Sequence, residues 1–307
     1  MMNQKLKVLS IFSGVGMMDY GLEQTGGFET TVFCEIDKDC QKVLRKHWSE
    51  VRIFNNVSTL HYINYPKGQY DKPDVICGGF PCQDISVAGK QKGMIDEETG
   101  EQTRSGLWFE YARIIKEVKP KWVIIENVSN LRNKGLATII QDLHEIGYDC
   151  CWENISAKSV GAYHKRERIW IVAYSMQSRL EKQCKSIGVS KEQPSSECGS
   201  YESSNTDNFR FWPPFTSEEE KSQWWTKTTS RFSSVFEQIT EIEPTICRGN
   251  DGPSLGLDTD KRRNQIIRRL EQLRKARIKQ LGNGLIPQIA QIIGERILHH
   301  ENSRQSD

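Results

Sequence analysis

The chain has 307 residues, with 42 Lys and Arg against 40 Asp and Glu and a formal net charge of +2 at pH 7. That length allows one large domain with a substantial core, or one domain and a smaller companion. The near balance of charge excludes a uniformly basic nucleic-acid binder, although a local cationic face stays open. Nine cysteines show no repeated Cys-x-x-Cys or Cys/His spacing of a zinc site, so no metal is expected. Met1 to Lys7 is polar and lacks a signal pattern, and no apolar run nears the length of a membrane span. The expectation is a soluble cytoplasmic protein with reduced thiols.

Along the first half, short apolar runs alternate with segments of helical period. Strands are predicted over Lys7–Phe12, Thr30–Cys34, Pro73–Cys77, Trp122–Ile125, Tyr148–Ile155 and Arg168–Tyr174. Helices are predicted near Asp37–His47, Gly106–Val118 and Leu136–Ile146. This alternation predicts an α/β fold, a parallel sheet covered by helices on both faces. Such sheets bind ligands at the carboxyl ends of their strands, where the loops gather. After Tyr174 the pattern breaks. Residues 175–260 are polar and rich in Ser, Thr, Glu and Gln, interrupted by Phe209, Phe211, Trp212 and Phe215 and then by Trp224 and Trp225. They read as a smaller module with few regular elements, and disorder fits Glu181–Asn208 equally well. Helical period returns from Lys261 to about Leu281. Nine of the residues from Lys261 to Lys279 are Lys or Arg and one, Glu271, is acidic. Gly282-Asn283-Gly284 breaks this segment, and a further helix starts at Pro287, a residue suited to a first turn. The expected division is therefore 1–174, 175–260 and 261–307.

The first predicted strand runs into Phe12-Ser13-Gly14-Val15-Gly16, a Gly-x-Gly turn that lets backbone approach a ligand closely. The second ends at Glu35-Ile36-Asp37, at the spacing that places a carboxylate on a ribose hydroxyl pair. Asp19 stands where a dinucleotide fingerprint would have its third glycine, which disfavours NAD and favours a nucleoside cofactor without a pyrophosphate. Taken alone, the loop is equally a simple tight turn. Beyond the strand ending at Cys77 lies Gly78-Gly79-Phe80-Pro81-Cys82-Gln83, which puts Cys82 in a loop at the ligand edge. The next strand closes at Glu126-Asn127-Val128. Either residue alone suits a structural role; a thiol and a carboxylate at neighbouring strand ends point to chemistry in one pocket.

These motifs, in this order, resemble those of the DNA (cytosine-5) methyltransferases. Phe12 to Gly16 resembles the family's cofactor loop, Glu35 its ribose-binding acid, Gly79-Phe80-Pro81-Cys82-Gln83 its nucleophile motif and Glu126-Asn127-Val128 its second catalytic motif. Arg166-Glu167-Arg168 with Ile171-Val172 resembles the arginine motif, and Gly282-Asn283-Gly284 with Pro287-Gln288 the closing motif. The resemblance covers residues 8–174 and 279–298. It implies a Rossmann-like S-adenosylmethionine-dependent methyltransferase fold with a smaller, irregular target-recognition domain. By the same resemblance, Phe12, Ser13, Gly14, Gly16, Glu35, Ile36, Asn56, Val57, Pro81, Leu107 and Asn283 would hold S-adenosylmethionine. Cys82, Glu126, Arg166 and Arg168 would carry catalysis. Gln83 and Ser86 would lie against DNA in the long polar stretch Gln83–Arg104, which would itself close over the duplex as a lid; a passive solvent loop is the plain alternative. Arg262 and Arg269, left outward by the stripe Ile266, Leu270 and Leu273, would meet phosphates, although a merely solvated basic helix fits the pattern equally well. The implied partner is double-stranded DNA, bound by a monomer that works beside a restriction endonuclease.

The chemistry explains the residue types. Carbon 5 of cytosine attacks a sulfonium methyl only after a thiolate has added to carbon 6 and turned the ring into an enamine. Cys82 would supply that thiolate, Glu126 would interact with N3, and the arginines would brace the carbonyl side. For the arginine pair, a surface ion pair with Glu167 is the plain alternative. The target base must leave the duplex stack to reach such a pocket. Two departures from the family stand out: Asn55-Asn56-Val57 where an acid is usual, which predicts altered cofactor affinity, and His164 where glutamine is common. Rival readings are a tRNA methyltransferase of the same fold, whose nucleophile loop lacks Gly79-Phe80, and a catalytically silent DNA-binding protein.

Overall fold

The computed structural model describes residues 4–61, 72–81, 107–162, 164–176 and 285–303, together with Ser217, Glu219 and Gln223. Seven strands are present there: β1 Leu6–Ile11, β2 Phe28–Cys34, β3 Arg52–Phe54, β4 Val75–Gly78, β5 Trp122–Val128, β6 Tyr148–Ser156 and β7 Glu167–Ser175. The helices are α1 Met17–Glu23, α2 Lys38–His47, α3 Trp108–Val118, α4 Leu131–Lys134, α5 Leu136–Ile146 and α6 Pro287–Ser303. The strands form one sheet in the order β3-β2-β1-β4-β5-β7-β6.

The first five strands run parallel, whereas β7 is antiparallel to both β5 and β6. The wholly parallel sheet read from the sequence is thus corrected to a mixed one. Chain length supplies the reason. Only ten residues, 157–166, separate β6 from β7, and a parallel crossover needs a dozen or more. The strands and helices predicted within the described residues otherwise recur with ends shifted by a few residues, while the helix predicted from Lys261 to about Leu281 lies outside them. Three elements escaped the sequence reading, among them α4, a single turn of four residues. β3 is only three residues long, and α1 has seven residues with Gly21 among them, too few to show a period.

Both faces of the sheet are covered, which is why its central strands are continuously apolar. Alternate side chains sort to opposite faces. Leu9, Ile11, Val123 and Ile125 pack with Trp108, Tyr111, Ile114 and Ile115 of α3 and with Ile139 and Leu143 of α5. Val8, Trp122 and Ile124 pack with Met18 and Leu22 of α1 and Ile289, Ile293 and Ile297 of α6. The pairing of α1 with α6 is very close: a Cβ at Gly21 would overlap the Pro287 carbonyl oxygen, and one at Gly294 would come within 3.0 Å of Thr25. The far end of α6 is tied to the sheet by the Trp122 indole N–H, which donates to Glu301 Oε1 at 3.2 Å. Among the described residues no helix is long and apolar enough to cross a membrane.

Candidate active site at the carboxyl edge of the sheet

The ends of β1, β2, β3 and β4 and the last residues of β5 gather at one edge. After β1 the chain turns sharply: Phe12 has φ 54°, Gly14 57° and Gly16 81°. Positive φ is costly for a side chain such as that of Phe12, so it marks a turn that the surroundings enforce. Phe12 lies 6.2 Å from the Tyr111 ring, and the Ser13 hydroxyl donates to the Ser10 carbonyl at 3.0 Å. Gly16 starts α1 beneath the Trp48 ring, where a Cβ would sit at 2.7 Å. Any larger residue would push the loop off its seat.

Glu35 holds this loop in place. Its Oε2 accepts the Gly14 N–H at 2.7 Å and its Oε1 accepts the Asp37 N–H at 2.7 Å. Burial raises its pKa above the ordinary value, and backbone donors at Asp37, Gly14 and Ile36 work in the other direction. A carboxylate offers about four acceptor sites, so capacity remains for two hydroxyls. Asp37 in turn caps α2, accepting from the Asp39 and Cys40 N–H groups. Between the two acids Ile36 stands 74% exposed, a rare position for a large aliphatic group and one that offers a flat apolar surface. Along the same edge Asn56 Oδ1 accepts the Ser58 N–H at 3.0 Å and so caps the 3-10 turn Val57–Thr59. Val57 is buried, and Leu107 packs against the same apolar cluster at the start of α3. An acid with spare acceptor capacity, an exposed apolar platform and a polar amide in succession have the chemistry that a nucleoside would require. S-adenosylmethionine meets that requirement.

Beyond β4, Gly78 has φ 154°, and a Cβ there would overlap the Ile11 carbonyl oxygen. Gly79 faces Glu126: a Cβ would lie 2.8 Å from Glu126 Oε2. The two glycines thus bring the loop toward Pro81 against β5 and leave the acid its room. Asn127, buried beside Glu126, donates from Nδ2 to the Phe80 carbonyl at 3.1 Å. It fastens that loop to the strand bearing the carboxylate. The Glu126 side chain is 12% exposed and its Oε1 pairs with Arg168 Nε at 3.1 Å. Burial raises the Glu126 pKa, while Arg168 and then Arg166 oppose the rise. Arg168 Nη1 also donates to the Glu167 carbonyl at 2.8 Å, and the Glu167 carboxylate pairs instead with Lys165 at 3.7 Å. The surface ion pair between Arg168 and Glu167 is therefore not what forms.

The antiparallel course of β7 makes the Glu126–Arg168 meeting possible. Val128 lies opposite Arg168 and Glu126 opposite Trp170, so Arg168 reaches Glu126 diagonally. Of the sequence-derived site residues, the structure gathers Phe12, Ser13, Gly14, Gly16, Glu35, Ile36, Asn56, Val57, Pro81, Leu107, Glu126, Arg166 and Arg168 on or beside this edge. Cys82, Gln83, Ser86, Arg262, Arg269 and Asn283 lie outside the described residues, as do the stretch Gln83–Arg104, the basic segment Lys261–Lys279 and nearly all of 175–260. The sequence reading gave no role to Asn127 as a tether, nor to Gly78 and Gly79 as spacers. The double glycine before Phe80-Pro81 was the visible signal for the latter.

A sheet in this order, with its seventh strand reversed, has the Rossmann-like methyltransferase fold. The pattern of the family described as C-5 cytosine-specific DNA methylase matches residues 6–251, and the chain belongs to that family. It is 33% identical over 187 residues to the type II methyltransferase M.CviJI of Paramecium bursaria Chlorella virus IL3A, covering 60% of this chain and 47% of that protein. Similarity to the type II methyltransferase M.Bsp6I of Bacillus sp. (strain RFL6) is 34% over 174 residues, 55% of this chain and 52% of that one. With M.Eco47II of Escherichia coli it is 37% over 177 residues, 56% and 40% of the two chains. The matched region spans about half the length of these curated relatives. Among solved structures, the S. pombe Dnmt2 methyltransferase superposes with a TM-score of 0.45 at 19% identity, over 56% of this chain and 51% of that chain.

Proposed function

We propose that the protein methylates carbon 5 of a cytosine rotated out of duplex DNA, with Cys82 as the nucleophile and S-adenosylmethionine as the methyl donor. The observation that carries this reading is the half-buried Glu126–Arg168 pair. It stands one strand away from the Gly79-Phe80-Pro81 loop that leads directly into Cys82, and Asn127 ties the two together.

In this reading the Cys82 thiolate adds to carbon 6 and the electrons of the 5,6 double bond move into the ring. Burial lets Glu126 keep its proton to a higher pH than a solvated acid, so it can hydrogen-bond to N3 and neutralise the charge arriving there. Arg168 fixes the carboxyl group in place and offers its remaining donors to the carbonyl side of the base. Glu35 would bind the ribose hydroxyls, and Ile36, Val57 and Leu107 would enclose the adenine. When bound, the cofactor supplies an electrophilic methyl group, which carbon 5 of the activated ring accepts. Loss of the proton from carbon 5 and cleavage of the bond to Sγ then restore the thiolate of Cys82.

The relatives named type II methyltransferases support a restriction-modification setting, with a monomer in the cytoplasm that protects a specific duplex site beside a partner endonuclease. Residues 175–260 would read that site, and the Lys261–Lys279 segment would meet phosphates. Transfer of a labelled methyl group to duplex DNA and not to tRNA tests the proposal, with bisulfite sequencing to locate the cytosine. DNA containing 5-fluorocytosine should trap a covalent adduct on Cys82, because fluorine cannot leave as the proton does. Labelling of tRNA alone would establish the RNA reading, and labelling of neither would leave a silent binder.

A further inference from the structure

We infer that Arg113 is a positioning residue for the cofactor, whose guanidinium ties the turn at Val57–Leu60 to α3 and so fixes the adenine side of the cradle. The inference rests on the function proposed above. Arg113 sits in the middle of α3, on the face toward the 3-10 turn that Asn56 caps. Its Nη2 donates to the Val57 carbonyl at 3.0 Å and its Nη1 to the Leu60 carbonyl at 3.1 Å. Glu110 accepts from Nε at 2.9 Å and from Nη2 at 2.7 Å, and Glu117 accepts from Nη1 at 2.7 Å. His61 Nδ1 lies 3.1 Å from Nη1 and 3.4 Å from Glu117 Oε1.

A guanidinium has five N–H donors. Here all five have an acceptor, three on the helix and two on the turn. The two acids, one turn before Arg113 and one after, set the fork in one orientation, and the fork then grips both ends of the turn. Among the described residues no backbone ladder holds this stretch, since β3 ends at Phe54. The turn carries Asn56 and Val57, while α3 begins beside Leu107. Arg113 therefore sets the spacing between the two walls that would enclose the adenine. A lysine would keep the charge between Glu110 and Glu117, but its compact ammonium cannot span both carbonyls.

The test compares R113K and R113M with the parent in the full chain. Affinities for S-adenosylmethionine and for adenosine are measured by calorimetry and competition, beside kcat, the KM for duplex DNA, and thermal unfolding. Both ligands share the adenine, so R113K should weaken both by the same factor, about tenfold, and R113M by as much or more, as loss of charge-assisted bonds commonly does. With saturating cofactor, kcat and the KM for DNA should stay within about twofold of the parent. Unchanged affinities in a folded R113K overturn the inference. So does a fall in kcat without a change in affinity, or failure of both variants to fold, which would make Arg113 a residue of the core alone. Affinity is read by binding, so absence of methyl transfer by the parent would sink the proposed function while the R113K affinities still decide this inference.

Discussion

Glu126→Gln separates the chemical role proposed for Glu126 from its structural one. At 3.1 Å, and an effective dielectric of about 20, the attraction between the Glu126 and Arg168 charges is about 5 kcal/mol. Removing two ions from water costs several kcal/mol each, so the pair is near break-even or below it. The direction of the Glu126 pKa says which. Burial outweighs the arginines and raises it, so the folded chain holds this proton more tightly than the unfolded chain does. The contribution to stability is then full below the ordinary value of 4.5 and is lost as pH rises through the higher folded value. Glutamine carries no such penalty, and its amide oxygen can still accept from Arg168 Nε. E126Q should therefore match the parent at pH 8 or exceed it, with the advantage shrinking toward pH 5. Its methyl transfer should fall by about 10²–10⁴, since an amide cannot supply a proton to N3. Chemical denaturation at the two pH values and single-turnover methylation measure both quantities. An E126Q protein more than about 1 kcal/mol less stable at pH 8 would show that the ion pair is a net support and refute this reasoning.

Cys82→Ala should abolish methyl transfer yet retain duplex binding in a gel-shift assay, and full activity would remove the assigned nucleophile. Asp19 is fully buried, accepting from the Ser10 hydroxyl at 2.9 Å, and burial pushes its carboxyl from the ordinary 3.8 up to about 7. Its contribution is greatest below pH 3.8 and declines toward pH 7, a loss on the order of 4 kcal/mol. Asp19→Asn should flatten that decline between pH 5 and pH 8 in urea unfolding, and an unaltered slope would count against the account. Gly21→Ala forces α6 away from α1 and should cost about 1–3 kcal/mol in the same assay; a neutral effect would mean the helices are free to slide apart.

Much of this protein was legible in its sequence because local chemistry wrote it there. The strand ends followed from apolar runs stopped by Gly, Pro or an acid, and the glycine turn, Glu35 and the Gly79-Phe80-Pro81-Cys82 run named the edge where a ligand would sit. Asp19 was visible only as a misplaced glycine. Its burial among Ser10, Thr30 and Cys77 depends on three strands meeting beneath α1. Arg113 looked like any helix arginine, since nothing near it in sequence marks the carbonyls of Val57 and Leu60 as its partners. Gly21 likewise gained its meaning from α6, more than 260 positions farther along the chain.

By itself, then, the sequence determined which residues could react and which end of each strand would carry them. The direction of β7 was decided only in three dimensions. Had that strand run parallel to β5 in the same place, Arg168 would stand beside Trp122 at the opposite edge, about 13 Å along the strand from Glu126 at the usual rise per residue. Ten connecting residues forbid that crossover and impose a hairpin, and the hairpin places the guanidinium beside the acid.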